Sequence, residues 1–441
     1  MASARKWFPL APRPISSRPE VSSAALAALP TFDVYRVSSE LSLLLLRSSE
    51  TPVLYLSGHA HLTLVKGRCE VFGYQLPLMK RTPVTCCPWN PAYPLTLSTQ
   101  TKAKGVLGNL KQCLKPEDFA LMEKKVLSYD AIVLIESHRE NDMEWLLQME
   151  RFSSTYNDVI AAPPSTTHTL HSHLQMINLQ SCLLFTESSD CQLEKLEYPT
   201  NWKESVSIVS NALATHPKVL ICGSKGVGKS TFLRYLLNST LHRCKNIAVL
   251  DCDLGQPEFT VSGIVSLHIL STKDISLQPI HLNLKRPHTS YFIGDIASKH
   301  QPHVVLQAVR QLLSIYQALL KDSHVDDDIE TSTNSSHHPV QNSFALLERE
   351  RDRNNNDGFP LFVNLDGWTK GMGEDILSAL IPIVGPSHVI HLRSLKNSDL
   401  EPLSNLPQSC VAVELEPGRI TPSKVHGVDM RNLRFSYVFS N

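Results

Sequence analysis

Gly223-Ser-Lys-Gly-Val-Gly-Lys-Ser230 is the stretch that decides the fold of this chain of 441 residues. Its spacing, G-x-x-x-x-G-K-[ST], is that of a phosphate-binding loop. Glycines let such a loop curl until its N–H groups point at phosphate oxygens, while the lysine reaches the phosphates and the serine hydroxyl can bind Mg²⁺. The alternative is a tight glycine turn with an exposed lysine. The predicted nucleotide-binding residues are Gly223, Ser224, Lys225, Gly226, Val227, Gly228, Lys229, Ser230 and Thr231.

The flanks of this loop have the context that a phosphate site requires. Lys218-Val-Leu-Ile-Cys222 is a short apolar run typical of a buried strand, and Thr231 to Asn238 places apolar residues at helical spacing. A strand, a glycine loop and a helix in that order aim the helix N-terminus at a phosphate. Strand and helix patterns alternate over residues 201–400, which predicts an α/β domain with a mainly parallel sheet.

Two acids follow the next apolar run. Asn246-Ile-Ala-Val-Leu250 leads into Asp251-Cys-Asp253, and a carboxylate at the C-terminal end of a parallel strand faces the crevice where ligands bind in open α/β sheets. A pair of such acids can share the Mg²⁺ sphere or take a proton from an attacking hydroxyl. The alternative is that both acids cap the following turn.

The order of these motifs resembles one known family. Asp-x-Asp-x-Gly-Gln soon after a phosphate loop is similar to the eukaryotic polynucleotide 5′-hydroxyl kinases, which act in pre-rRNA processing and have a sister branch in tRNA splicing and pre-mRNA 3′-end cleavage. Gln256-Pro-Glu-Phe-Thr260 resembles the nucleolar branch. The further matching segments are Leu54–Gly73, which resembles the N-terminal β domain of the family, Tyr291-Phe-Ile-Gly-Asp295, and Leu361–Gly371 with its Gly-Trp-Thr-Lys-Gly end.

This resemblance implies a reaction and a set of site residues. The chain is expected to transfer the γ-phosphate of ATP, with Mg²⁺, to the 5′-hydroxyl end of RNA, and DNA ends are left open. Lys229, Asp251 and Asp253 are the predicted catalytic residues, with Asp251 as proton acceptor and Asp253 as second choice. Ser230, Asp251 and Asp253 are the predicted metal ligands. The candidates for nucleic-acid contact and for an arginine lid are Gln256, Trp368, Arg431 and Arg434; for Trp368 the alternative is packing in the core.

The sequence departs from the family at two places, and two rival functions stay open. Ser262-Gly263 stands where the family has Pro-Gly, and Ala297-Ser-Lys299 stands where its clasp has Ser/Thr-Pro. One rival is a nucleotide-binding scaffold subunit that holds an RNA-processing nuclease and transfers nothing. The other is a GTPase, which the missing Asn-Lys-x-Asp motif disfavours.

Composition limits the partners and the compartment. Lys and Arg total 42, as do Asp and Glu, so a general basic coat for nucleic acid is absent and a local groove is needed. None of the ten cysteines forms a C-x-x-C pair, which favours a reduced compartment without a zinc site. No apolar run is long enough to span a membrane. The resemblance implies the nucleus, and specifically the nucleolus, with an RNA-processing endonuclease complex as partner.

Local patterns divide the chain into five parts. The first part carries Arg5, Lys6, Arg13 and Arg18 among Ser, Ala and Pro; it is predicted to be a disordered leader, with an organellar transit peptide as the alternative. Alternating β-formers then predict an antiparallel sandwich or barrel. The predicted divisions are leader 1–30, β domain 31–100, mixed connecting region 101–200, P-loop kinase domain 201–400 with a disordered insertion at 321–358, and C-terminal segment 401–441 with a lid.

Overall fold

Two β-sheets with flanking helices make up the described part of the chain, which was obtained as a computed structural model. One sheet is antiparallel and comes from the N-terminal half, and the other is mainly parallel and carries the phosphate loop. The residues that the structure describes are 32–47, 53–86, 91–97, 105–137, 176–178, 182–186, 193–275, 277–278, 283–325, 358–368, 370–394, 406–418, 431 and 434.

The antiparallel sheet is built around one long central strand, which pairs with four others. The main order is β1-β2-β8-β3-β7-β4-β5, and β6 and β10 also pair with β3. The strands are β1 (Phe32–Arg36), β2 (Leu41–Leu46), β3 (Leu54–Lys66), β4 (Cys69–Val71), β5 (Tyr74–Gln75), β6 (Arg81–Cys86), β7 (Tyr93–Leu97), β8 (Ala131–Ser137), β9 (Met176–Asn178) and β10 (Cys182–Thr186).

Three strands of this sheet come from the region that the sequence patterns left as a mixed connection. β8 fits between β2 and β3, and β10 pairs with β3 and β9. Strand β8 has five consecutive buried residues from Ala131 to Ile135, so it is an interior strand of the sheet. The antiparallel sheet therefore extends to Thr186 rather than ending near residue 100. Helices α1 (Val106–Cys113) and α2 (Pro116–Met122) cover part of it.

The second sheet has seven strands within the described residues, in the order β14-β13-β12-β15-β11-β16-β17. Its central pairs are parallel, and only the β12–β13 and β13–β14 pairs are antiparallel, which confirms the predicted fold class. The elements are α3 (Thr200–Ala212), β11 (Lys218–Gly223), α4 (Lys229–Thr240), β12 (Ile247–Asp251), β13 (Ile264–Leu270), β14 (Thr289–Phe292), α5 (Pro302–Val325), β15 (Leu361–Asn364), α6 (Met372–Val384), β16 (His388–Leu392) and β17 (Val411–Leu415).

The carboxyl ends of three parallel strands meet at one edge of this sheet. Asn364 at the end of β15 is in register with Ile221 of β11 on one side and with Asp251 of β12 on the other. The phosphate loop follows β11 directly. The loop, Asp251 and the segment after β15 are therefore neighbours, although up to 140 residues separate them in sequence.

The two sheets share a continuous hydrophobic core across the phosphate-loop helix α4. The Phe72 ring lies 6.0 Å from the Tyr235 ring, and the Asn238 amide donates to the Phe72 carbonyl at 3.0 Å. A side chain at Gly73 would collide with the Tyr235 carbonyl at 2.7 Å. The antiparallel sheet is thus packed closely against the back of the helix that begins at the phosphate loop.

Several predicted segments fall outside the described residues. The leader 1–30 is one of them, and so is most of the insertion, because α5 continues to Val325 and description resumes at residue 358. Of the segment 401–441, the structure describes 406–418, Arg431 and Arg434. The described helices include none with the length and apolar character needed to cross a membrane.

Candidate functional site

The phosphate loop has the backbone that its glycines predict. Gly223, Gly226 and Gly228 have φ values of 140°, 79° and 94°, in the region that favours glycine. At Gly223 a Cβ would also lie 2.3 Å from the Leu392 carbonyl of β16. Helix α4 begins at Lys229, immediately after the loop. The loop is therefore a compact turn that ends on a helix N-terminus, which is the arrangement that binds phosphate.

Lys229 lies inside this loop rather than in solvent. Its side chain is buried, and its ammonium donates to the Ser224 carbonyl at 3.1 Å. Burial lowers the pKa of Lys229, while the carboxylates of Asp253 and Asp366 favour its charged form. The alternative of a glycine turn with an exposed lysine is wrong. The ammonium is held beside carboxylates that come from two other strands.

Asp251 is completely buried and its two oxygens are occupied. Oδ1 accepts hydrogen bonds from the Asn364 amide at 3.0 Å and the Asp253 N–H at 3.2 Å, and Oδ2 accepts the Glu258 N–H at 2.6 Å. Burial, and then the charge of Asp253, raise the pKa of Asp251 to about 7, against the lowering effect of these donors and of Arg434. Asp251 is thus a buried group that organises the segment after β12.

Asp253 is only partly buried and is the central carboxylate of the site. Its Oδ1 accepts the backbone N–H groups of Gly255 at 3.0 Å and Gln256 at 2.9 Å, so the turn-capping alternative describes part of its role. Among the described residues Oδ2 accepts no hydrogen bond. The carboxylate interacts electrostatically with Lys229, Asp251, Asp366 and Arg434.

Asp366 is a third carboxylate that sequence reasoning missed. It follows β15 by two residues, accepts the Ser298 hydroxyl, and interacts with Lys229 and Asp253. Burial raises the pKa of Asp366, and its bond from Ser298 opposes that rise. The signal for it was a polar residue just past the end of a third apolar strand, inside the quoted stretch 361–371. Ser298 lies in the place where the family's clasp differs from this sequence.

A buried ion pair beneath the acids was also missed. Arg234 on α4 and Glu258 after β12 form a salt bridge, and both side chains are almost completely buried. Arg234 also donates to the Gln278 carbonyl at 3.1 Å, and burial lowers its pKa to about 10. Because the Glu258 N–H binds Asp251, this pair connects the phosphate-loop helix to the acid segment. An arginine in the apolar run of α4 was the available signal.

The four predicted nucleic-acid and lid residues have different positions. Arg434 is 1% exposed and interacts with Asp251 and Asp253, and Arg431 is near Arg434. The Trp368 ring is 43% exposed, and the Lys299 ammonium lies 4.1 Å from its centroid. This exposure contradicts the alternative that Trp368 packs in the core. Gln256 contributes its N–H to the turn at Asp253.

A small pocket of about 20 Å³ opens beside the loop. Its lining includes Gly223, Asp366 and Trp368, together with Ile376 and Leu380 of α6. The pocket brings the start of the phosphate loop, a carboxylate and an exposed aromatic ring to one place. This combination suits a polar group that must be placed beside a bound phosphate, with an apolar wall to limit water.

The sequence matches one protein family and several curated proteins. Residues 223–329 match the family described as mRNA cleavage and polyadenylation factor CLP1 P-loop. Polynucleotide 5′-hydroxyl-kinase NOL9 of Arabidopsis thaliana is 32% identical over 44% of this chain and 45% of that protein. The Homo sapiens protein of the same name is 30% identical over 57% of this chain and 28% of that protein, and the Bos taurus protein is 24% identical over 77% and 43%.

A solved structure of the wild-type Clp1p–Pcf11p complex is similar to this chain with a TM-score of 0.45 and 12% identity, over 91% of this chain and 72% of that chain. The alignments with the three kinases cover less than half of each kinase's own length. The family match covers the phosphate loop, both acids after β12, and α5. The recognised resemblance is confirmed: residues 223–329 match the CLP1 P-loop family, and the chain is similar to proteins named polynucleotide 5′-hydroxyl-kinase.

Proposed function

We propose that this chain is an ATP-dependent polynucleotide 5′-hydroxyl kinase, which transfers the γ-phosphate of ATP to the 5′-hydroxyl end of RNA. The observation that carries the proposal is the complete phosphate loop with Lys229 buried inside it, hydrogen-bonded to the Ser224 carbonyl at 3.1 Å. Its ammonium interacts electrostatically with Asp253 and Asp366, which follow two neighbouring strands. Phosphoryl transfer needs this combination of charge neutralisation and positioning. The similarity to proteins named as 5′-hydroxyl kinases supports the choice of acceptor.

The residues present fit ATP and Mg²⁺. The loop glycines have the positive φ angles that turn backbone N–H groups toward a phosphate, and the Lys229 ammonium is bonded inside the loop, to the Ser224 carbonyl. Mg²⁺ in such sites uses one or two carboxylates together with the phosphates and water, and it neutralises charge on the phosphates. Asp253, with one oxygen free of hydrogen bonds, and Ser230 at the start of α4 would hold it.

We infer that Asp253, rather than Asp251, faces the reacting groups. Both oxygens of Asp251 accept hydrogen bonds from donors of the chain, so a substrate hydroxyl would have to displace one of them. Asp253 is partly exposed and is within electrostatic range of Lys229 and Arg434. Asp251 would then orient the turn that carries Asp253.

The transfer itself can be written with named groups. The 5′-oxygen of the acceptor forms a bond to the γ-phosphorus, the bond to the β–γ bridging oxygen breaks, and the hydroxyl proton passes to an aspartate carboxylate. Lys229 and Arg434 both interact electrostatically with Asp253 and would stabilise the phosphoryl oxygens. Trp368, exposed beside Asp366 in the pocket, would stack on the terminal base.

The same relatives support a place for the reaction. We propose pre-rRNA processing in the nucleolus as the pathway, with an RNA-processing endonuclease complex as partner, because the Gln256–Thr260 segment resembles the nucleolar branch of the family. The competing function is a nucleotide-binding scaffold of such a complex that transfers nothing.

End labelling tests the proposal. The protein is incubated with γ-labelled ATP, Mg²⁺ and oligonucleotides of RNA or DNA that carry a 5′-hydroxyl, and label should appear at the 5′ end. A matched acceptor with a 5′-phosphate should stay unlabelled, and Lys229→Ala should remove the label. ATP binding without any labelling would establish the scaffold function instead, and equal labelling by Lys229→Ala and the unaltered protein would overturn the assignment of the loop.

A further inference from the structure

An exposed strip of side chains leads from the edge of the second sheet to the site. Its members are Tyr291 and Phe292 of β14, Ile296 in the following segment, and Lys299. Phe292 is 77% exposed and Ile296 is 50% exposed, which is unusual for large apolar side chains and marks an interaction surface. We refer to these four residues as the β14 strip.

The exposed Phe292 ring lies beside two glycines, since Cβ atoms at Gly263 and Gly294 would each be 3.5 Å from the ring. The Ile293 N–H donates to the Gly263 carbonyl at 2.8 Å, which fixes the backbone at the end of β14 against the chain that enters β13. A solvent-facing aromatic ring on a fixed backbone is the form that a stacking platform takes.

The β14 strip is continuous with the proposed acceptor site. The Ile296 carbonyl lies 3.1 Å from the position of a Cβ on Gly255, so the segment crosses the turn that Asp253 caps. Ser298 then donates to Asp366, and the Lys299 ammonium lies 4.1 Å from the Trp368 centroid. Ser298 is six positions after Phe292 in the sequence, a span of about 20 Å at most. One short stretch therefore joins the exposed ring to the pocket.

The charge of this stretch differs from that of the whole chain. Residues 286–303 contain two Lys or Arg residues (Arg286 and Lys299) and three His residues against one acid, while the chain as a whole is neutral. That acid, Asp295, is paired with His300 at 2.9 Å. Basic side chains that alternate with exposed aromatic rings fit the backbone and bases of single-stranded nucleic acid.

We propose that the β14 strip binds the single-stranded RNA that continues beyond the terminal nucleotide, with Phe292 stacking on a base and Arg286 contacting a phosphate. The proposal rests on the proposed kinase function for the position of the terminal nucleotide. The strip increases the affinity for long acceptors but not for a dinucleotide, because a dinucleotide would reach only the acceptor site at Trp368. A protein partner that docks on the same edge is the competing occupant.

Binding of RNA to the full chain tests this without requiring activity. Fluorescence anisotropy with a 5′-hydroxyl RNA of about ten nucleotides should give a Kd about tenfold higher for Phe292→Ala, the effect of losing one stacked base. The Kd for a 5′-hydroxyl dinucleotide should not change. Phe292→Trp should bind the longer RNA as the unaltered protein does. Arg286→Ala should lower the slope of log K against log salt by about 0.7, the value for one phosphate on a single strand.

Leu127→Ala provides the matched control, because Leu127 is 60% exposed on the first domain, away from the strip; it should bind both RNAs normally. Equal binding of the longer RNA by Phe292→Ala and the unaltered protein would overturn the proposal and favour a protein on this edge. If neither the unaltered protein nor any variant labels RNA ends, but Phe292→Ala still weakens binding of the longer RNA, the RNA-binding proposal is supported and the kinase function is wrong.

Discussion

At the scale of single residues, three carboxylates differ in what they can do. Asp251 is buried with both oxygens bonded, Asp253 is partly exposed with one oxygen bonded, and Asp366 is bonded to Ser298 beside the pocket. Lys229 interacts electrostatically with Asp253 and Asp366, and Asp251 interacts with Asp253. Exchange of each acid for its amide therefore gives a different result.

Asp253→Asn should keep the melting temperature and lose most of the transfer rate, since it removes charge from a partly exposed side chain. Asp251→Asn should lose stability as well, by about 1–3 kcal/mol, because one oxygen that accepts N–H groups becomes an NH₂ group facing donors. Thermal melting, ATP titration and labelling rates of both variants distinguish the two roles. A fully stable Asp251→Asn that binds ATP and transfers nothing would instead establish Asp251 as the proton acceptor.

Trp368→Ala should raise KM for the RNA acceptor by about fivefold to a hundredfold, the effect of losing 1–3 kcal/mol of base stacking, and should leave KM for ATP nearly unchanged. The indole is 43% exposed, so little stability should be lost. Trp368→Phe should recover most of the affinity for all four terminal bases. The two Michaelis constants and a melting curve check this. A large fall in melting temperature with both constants unchanged would assign Trp368 to packing.

At the scale of elements, helix α4 is tied to the acid segment through Arg234 and Glu258. Both side chains of this ion pair are nearly inaccessible, while the Arg81–Glu136 pair on the first sheet has side-chain exposures of 55% and 32%. A buried charge that loses its partner is costly, but an exposed pair contributes little. The same Glu→Gln exchange can therefore be compared in a buried and in an exposed ion pair.

Glu258→Gln should lower the free energy of unfolding by about 3–5 kcal/mol, because it leaves the Arg234 charge buried without its carboxylate. Glu136→Gln should lower it by less than about 1 kcal/mol. Chemical denaturation of both variants measures the difference. Equal, small losses for the two variants would mean that solvent or another group compensates Arg234.

At the scale of the whole molecule, the antiparallel sheet supports the site from behind. The Tyr93 hydroxyl donates to the Gln278 carbonyl at 2.7 Å, and the Thr85 N–H donates to the Leu277 carbonyl at 2.8 Å. Gln278 also accepts from Arg234. The first domain thus contacts the same segment that binds the phosphate-loop helix.

Replacing residues 326–355 by a short Gly-Ser linker should leave the melting temperature and labelling rate nearly unchanged. This stretch is polar, with three adjacent aspartates at one end, two adjacent asparagines at the other and few core residues. The linker keeps α5 connected to β15, and loop length costs only about 0.6 kcal/mol per doubling. Thermal melting and end labelling of the shortened chain measure the effect, and a large drop in melting temperature would show that the segment packs.

The sequence by itself determined the features that depend on local spacing. The phosphate loop, the strand and helix around it, the acids after β12 and the mainly parallel sheet all follow from runs shorter than about fifteen residues, where backbone geometry and periodicity act directly. The apolar run of β12 predicts that Asp251 is buried at the end of its strand, but it does not predict the hydrogen bonds of Asp251.

Only the tertiary structure decided which distant groups meet. Asp366 interacts with Lys229, Glu258 pairs with Arg234, Arg434 interacts with the acid pair, and β8 lies between β2 and β3 in the first sheet. Each of these contacts joins residues that are distant in sequence and depends on the packing of the two sheets against α4. A short stretch of sequence does not contain that information. Burial then converts those contacts into altered proton affinities, because a charge far from water depends on the few groups that surround it.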